Sequence, residues 1–150
     1  MQEYFNKAID IARIGINNKE GGPFGAVVVD KNGKIIGMGN NKVLINNDPT
    51  AHAEIVAIRD ACKNINSYDL TGCKIYSTSE PCPMCLSAII WSNIKEVHFV
   101  TDRHEVGKIG FRDDIIYDYL EGNKRDILKV VKCENVECDK LLNDYKNTIY

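Results

Sequence analysis

The sequence predicts an α/β domain, a mixed sheet with helices on both faces. Three observations carry that prediction. Strand-length apolar runs alternate with helix-length segments over most of the chain. The first two runs, FGAVVVD and KIIGMG, flank Lys31-Asn32-Gly33 and read as a hairpin, so the sheet opens antiparallel before the βα alternation begins. The chain has 150 residues, 44% hydrophobic and 27% charged, which suits one domain with a real core over residues 1–150.

The elements follow in order. Tyr4, Ala8, Ile9, Ile11, Ala12 and Ile16 recur at mostly helical spacing, which predicts a helix over 4–16; NNKEGGPFG ends it. After the hairpin, the polar loop NNKVLINNDPT leads to a helix from about Ala51 to Ile65. Its apolar face carries Ile55, Ile58 and Cys62, and Asp48 or Thr50 is its candidate cap. A strand CKIYST, a helix from about Pro83 to Ser92 and a strand EVHFV come next. A loop at 101–112 precedes a short helix DIIYDYL, a fifth strand ILKVV and a last helix near 136–147.

Composition excludes several functions. Formal net charge is −2 and no half is strongly basic, which argues against a nucleic-acid surface. No apolar run is long enough to span a membrane, and MQEYFNKAID lacks the apolar stretch of a signal peptide. The expected compartment is the cytoplasm. Six cysteines are then poor candidates for a disulfide framework.

The chemistry concentrates at SEPCPMC, residues 79–85. A C-x-x-C pair can form a redox disulfide, close a four-ligand structural zinc site, or hold a zinc with an open position. Thirty residues upstream of Cys82 lies DPTAHAE, with His52 near a helix start. Cys82 and Cys85 sit one turn apart at the start of the next helix, where the dipole favours thiolate. One imidazole and two thiolates suit tetrahedral zinc with one position vacant. No fourth ligand presents itself: Cys62 is about 15 Å from His52 along one helix, Cys73 begins a buried strand, and Cys133 and Cys138 are expected to pack. Glu54, two residues after His52, is the expected proton carrier for water at the open position.

His52-Ala-Glu54 followed by Pro81-Cys82-Pro-Met-Cys85 resembles the zinc-dependent nucleobase deaminases. The likeness extends over P23-F-G-A-V-V-V, G39-N-N, D48-P-T-A-H-A-E and E80-P-C-P-M-C-L-S-A-I-I-W91, most of residues 1–100. It implies a cytidine-deaminase-like fold of five strands in three α/β/α layers. It also implies one zinc ion per subunit on His52, Cys82 and Cys85, with Glu54 moving the attacking water's proton to the ring.

The second half bears on the substrate. G107-K-I-G-F-R-D-D-I-I-Y117 resembles the bacterial guanine deaminases, while tRNA adenosine deaminases resemble residues 20–92 almost as well. Residues 121–150 hold six Lys/Arg and six Asp/Glu, too balanced for a phosphate-binding tail. The expected partner is therefore a small purine base, and the expected reaction is guanine to xanthine and ammonia. Deamination of tRNA adenosine or of cytosine, and a zinc-stabilised scaffold without chemistry, are the alternatives. Asn41 is a candidate polar contact and Asp113 a candidate acceptor and proton relay; Phe24 and Trp91 offer aromatic surface. Each also has a structural reading: a turn for Asn41, a helix cap for Asp113, core for the two aromatics. His98 is expected to be structural, and His104 to lie in a loop on the pocket side. Guanine deaminases of this type exchange the C-terminal segment within a homodimer. The resemblance thus implies that residues 121–150 swap between subunits and that Tyr150 covers the partner's pocket.

Overall fold

The computed structural model describes residues 1–146 and 149–150. They form two compact units, Met1–Tyr117 and Asp118–Tyr150.

The first unit is built on a four-stranded sheet in the order β2-β1-β3-β4. Strands β1 (Gly25–Val29) and β2 (Ile35–Asn40) form the expected hairpin. Its turn closes because Asp30 Oδ1 accepts from the Asn32 and Lys34 N–H groups and Gly33 supplies a positive φ of 82°. Strand β3 (Lys74–Ser79) pairs antiparallel with β1, and β4 (Glu96–Thr101) pairs parallel with β3. The sheet is therefore mixed, as the alternation predicted.

Strand alternation assigns the two faces. Val27, Val29 and Tyr76 meet Phe5 and Ala8 of α1 (Gln2–Asn17) on one side. Ala26, Val28 and Ile75 meet Ala53, Ala57, Ile58 and Ala61 of α3 (Ala53–Ile65) on the other, with Ile89 of α4 (Pro83–Trp91). All five β1 residues are buried because both faces of the sheet are covered. A single helical turn, α2 (Val43–Asn46), lies in the loop before α3.

Helix α3 sits unusually close to β2. A Cβ on Gly37 would strike the Ala57 carbonyl, and one on Gly39 would strike the Ala53 carbonyl. That proximity lets α3 side chains satisfy the outer edge of β2: Asp60 Oδ2 accepts from Met38 N–H at 2.9 Å, and Asn64 Nδ2 donates to Ile36 O at 2.9 Å.

After β4 the chain forms α5 (Arg103–Gly107) and α6 (Asp114–Leu120). Helix α5 was expected to be loop. It forms because Asp102 and Glu105 make a complete capping box. Beyond Tyr117 come a 3₁₀ turn (Arg125–Ile127) and α7 (Val136–Asp144), capped by the Asn135 side chain.

Four sequence expectations need correction. The sheet has four strands among the described residues, not five: ILKVV at 127–131 is exposed and pairs with no strand of the sheet. Neither Asp48 nor Thr50 caps α3. Asp48 instead accepts from the Thr50 N–H and hydroxyl, and His52 occupies the cap position. Cys133 and Cys138 are exposed rather than packed, whereas Cys73 is buried and Cys62 half-buried. The last helix ends at Asp144, and the expected end at residue 147 lies outside the described residues.

Candidate metal centre and active site

Two helix starts meet at the C-terminal end of β3. His52 is the N-cap of α3 and Cys82 the N-cap of α4, both in extended conformation. Pro83 takes the first helical position of α4, where its missing N–H costs nothing. Cys85 follows one turn in and is fully buried. His52 Nδ1 lies 3.6 Å from both the Cys82 and Cys85 sulfurs, and the three donor atoms lie within 4.8 Å of one another. Among the described residues this is the group that could hold a metal ion.

The electrostatics suit a cation. The neighbouring Cys85, aided by His52, draws the Cys82 pKa down to about 4 despite burial. The Cys82 thiolate beside it, with burial and the nearby Glu54 carboxylate, pushes Cys85 up. His52 is raised, chiefly by its hydrogen bond to Cys82. A divalent ion among these donors would displace the Cys85 thiol proton. One imidazole nitrogen and two thiolates are a zinc donor set, and three protein ligands leave a tetrahedral ion one position for water.

Glu54 lies in the first turn of α3 and is buried, with 6% of its surface exposed. Burial pushes its carboxyl above the ordinary range. Its Oε1 accepts from the Ser77 hydroxyl at 3.1 Å, and its Oε2 lies 3.4 Å from the Cys85 sulfur.

The centre opens into a cavity of about 430 Å³. Phe24, Asn41, His52, Glu54, Cys82 and Asp113 all line it. Phe24 stands edge-on to Phe111, ring centroids 4.8 Å apart, so the wall is an aromatic pair. Asn41 is buried, and its Oδ1 accepts from Val43 N–H at 3.1 Å. Behind it, Glu20 Oε2 accepts from Asn40 Nδ2 at 2.6 Å and from Lys42 Nζ at 3.2 Å. Asp113 is half-buried; burial first, then the anions at Cys82, Asp114 and Glu80, push its pKa up against the opposing pull of His52. Arg103 holds the adjoining start of α6: its Nε is 3.5 Å from Asp114 Oδ1 and its guanidinium lies 4.2 Å over the Tyr117 ring. Glu80 Oε2 in turn accepts from the Arg103 N–H at 2.9 Å.

Trp91 is not brought to the cavity. It lies at the end of α4, 76% exposed, and is absent from the lining. Tyr150 is exposed in the second unit. His98 stacks on Tyr76 at 4.6 Å and 6°, a structural placement, and His104 is exposed on α5 outside the lining.

Sequence reasoning gave no role to Phe111, Glu80 or Ser77. Phe111 lies two residues from Asp113 in the same loop, and Glu80 adjoins the Pro-Cys motif. Ser77 occupies the α3 side of β3, where alternation with Ile75 calls for an apolar residue.

Known proteins resemble this chain in sequence and fold. Residues 1–101 match the family described as the cytidine and deoxycytidylate deaminase zinc-binding region. Guanine deaminase of Bacillus subtilis (strain 168) is 45% identical over 120 residues, 80% of this chain and 76% of that protein. A tRNA-specific adenosine deaminase of Haemophilus influenzae is 41% identical over 123 residues, 82% of this chain and 70% of that protein. The crystal structure of the Bacillus subtilis guanine deaminase superposes with a TM-score of 0.87 at 36% identity, covering 99% of this chain and 98% of that one.

Proposed function

Because the chain belongs to the cytidine and deoxycytidylate deaminase zinc-binding family, we propose that it hydrolyses guanine to xanthine and ammonia in the cavity beside His52, Cys82 and Cys85. The observation that carries the substrate is the lining itself. It holds three carboxylates, Glu54, Glu80 and Asp113, with the aromatic pair Phe24 and Phe111, and no lysine or arginine among the described residues. A flat, uncharged heterocycle suits such a pocket, and a phosphorylated one meets uncompensated repulsion. That charge pattern favours a free base over the tRNA substrate named for the Haemophilus relative.

His52, Cys82 and Cys85 would hold the zinc ion, which would supply Lewis acidity to a water at the open position. Glu54 takes one proton from the attacking water and delivers it to the ring nitrogen beside the amino-bearing carbon. The second proton passes to the amino group, which leaves as ammonia as the new carbonyl forms. Asn41, its carbonyl engaged by Val43 N–H, offers its amide N–H₂ to a purine acceptor. Asp113 accepts from the donor side of the base and assists the departing amine. Phe24 and Phe111 hold the ring plane.

The chain acts as a cytoplasmic homodimer whose segment 121–150 is exchanged between subunits, with Tyr150 over the partner's pocket. Six free cysteines suit a reducing compartment. The exposed Val130, Val131, Leu141 and Leu142 supply apolar surface for a partner. The substrate reading is tested by ammonia release over guanine, guanosine, GMP, cytosine and a tRNA anticodon stem. Guanine should be the preferred substrate and GMP inert. Turnover of the anticodon stem with none of guanine would reverse the assignment.

A further inference from the structure

Ser77 is a polar residue on a strand face that otherwise builds core. It sits between Ile75 and Ser79 on β3, 1% exposed, and faces α3. Its hydroxyl oxygen accepts from Ser79 N–H at 3.4 Å, which leaves its single proton for Glu54 Oε1 at 3.1 Å. The other Glu54 oxygen, Oε2, lies on the metal side, 3.4 Å from Cys85 Sγ. Cys85 donates to Oε2 only while it keeps its proton. As a zinc ligand it is a thiolate and has none to give. Of the two side-chain donors to Glu54 among the described residues, Ser77 is then the one that remains. An anionic carboxylate this deeply buried is costly without a donor.

From this geometry we infer that Ser77 is a positioning residue for the proton carrier: its hydroxyl pins Glu54 Oε1 against the sheet and so fixes Oε2 as the oxygen that faces water and purine. The inference rests on the role proposed for Glu54 and deepens it, because it assigns the two oxygens different tasks. A carboxylate freed of this bond can rotate about its last torsion, which is broad for glutamate, and only part of its population then presents Oε2 correctly. Ser77 does not line the cavity, so substrate affinity does not depend on it.

Threonine and valine at position 77 give a matched pair, equal in shape and differing in the hydroxyl. Zinc-loaded Ser77→Thr and Ser77→Val are compared by zinc content, by the Kd for 8-azaguanine as a guanine analogue, and by kcat and KM on guanine. The expected result is equal zinc, equal Kd and equal KM, with kcat lower in the Val chain by on the order of tenfold, the loss of one hydrogen bond to a charged group. In a Glu54→Gln background the Thr/Val difference in residual kcat should shrink. Equal kcat in the two variants overturns the inference, as does a Val chain that loses zinc or analogue binding in proportion to rate. If neither branched residue is accommodated, Ser77→Ala against wild type makes the same comparison. A thermal-stability cycle of Ser77→Ala with Glu54→Ala needs no turnover: a coupled pair supports the bond, and strictly additive losses overturn it. A wild-type chain inactive on guanine would count against the substrate reading, and that cycle would still judge Ser77.

Discussion

Glu20 is a charge outside the cavity that holds the wall of the cavity in place. Its hydrogen bonds from Asn40 and Lys42 draw its pKa below the ordinary 4.5. A carboxylate held low in the folded state stabilises the fold above its unfolded pKa and loses that contribution as pH falls through the folded value. Glu20→Gln should therefore melt lower than wild type near pH 7, with the gap closing below about pH 4, and differential scanning calorimetry across pH reads this directly. At the metal, Cys82→Ala/Cys85→Ala should bind no zinc and should unfold more readily, because ligand bonds contribute folding energy. Full zinc occupancy by elemental analysis in that double variant would remove His52, Cys82 and Cys85 from the site.

Gly39 lets the Ala53 carbonyl, at the start of α3, rest on β2, and that start carries Glu54 toward the metal. Gly39→Ala should destabilise the chain by about 1–3 kcal/mol through overpacking, read as a lower Tm, and should also slow guanine turnover by shifting α3. The failure of an alanine to change either would mean that α3 has room to spare. Helix starts of this kind explain what the sequence made legible. The metal ligands and Glu54 lie within a turn of two helix N-termini, where local spacing determines which side chains share a face. The hairpin, α3, β3, α4 and β4 were legible for the same local reason. What escaped depends on partners distant in sequence. Helix α4 is apolar nearly all round, so no pattern shows that Cys85 and Ile89 turn inward while Ile90 and Trp91 face out. ILKVV has the composition of a strand but no ladder partner among the described residues. Ser77 looked like an ordinary strand serine because its partner, Glu54, is 23 residues away.

At the scale of the whole molecule, the tail exchange proposed above makes a prediction that no single subunit can satisfy. Deleting residues 148–150 should leave zinc content unchanged yet reduce guanine turnover through poorer closure of the pocket. Mixing tail-deleted chains with Glu54→Gln chains should restore activity, since an intact tail from the inactive chain would cover the working site of the other. Mixed dimers without recovery would mean that each tail serves its own subunit. The deamination chemistry itself is tested most directly by following guanine turnover in zinc-loaded wild-type and Glu54→Gln chains side by side. The wild type should release xanthine and ammonia in equal amounts, and the Gln variant, with equal zinc, should lose on the order of 100-fold or more in kcat. A Glu54→Gln chain that turned guanine over at the wild-type rate, or a wild type that left guanine untouched, would contradict it.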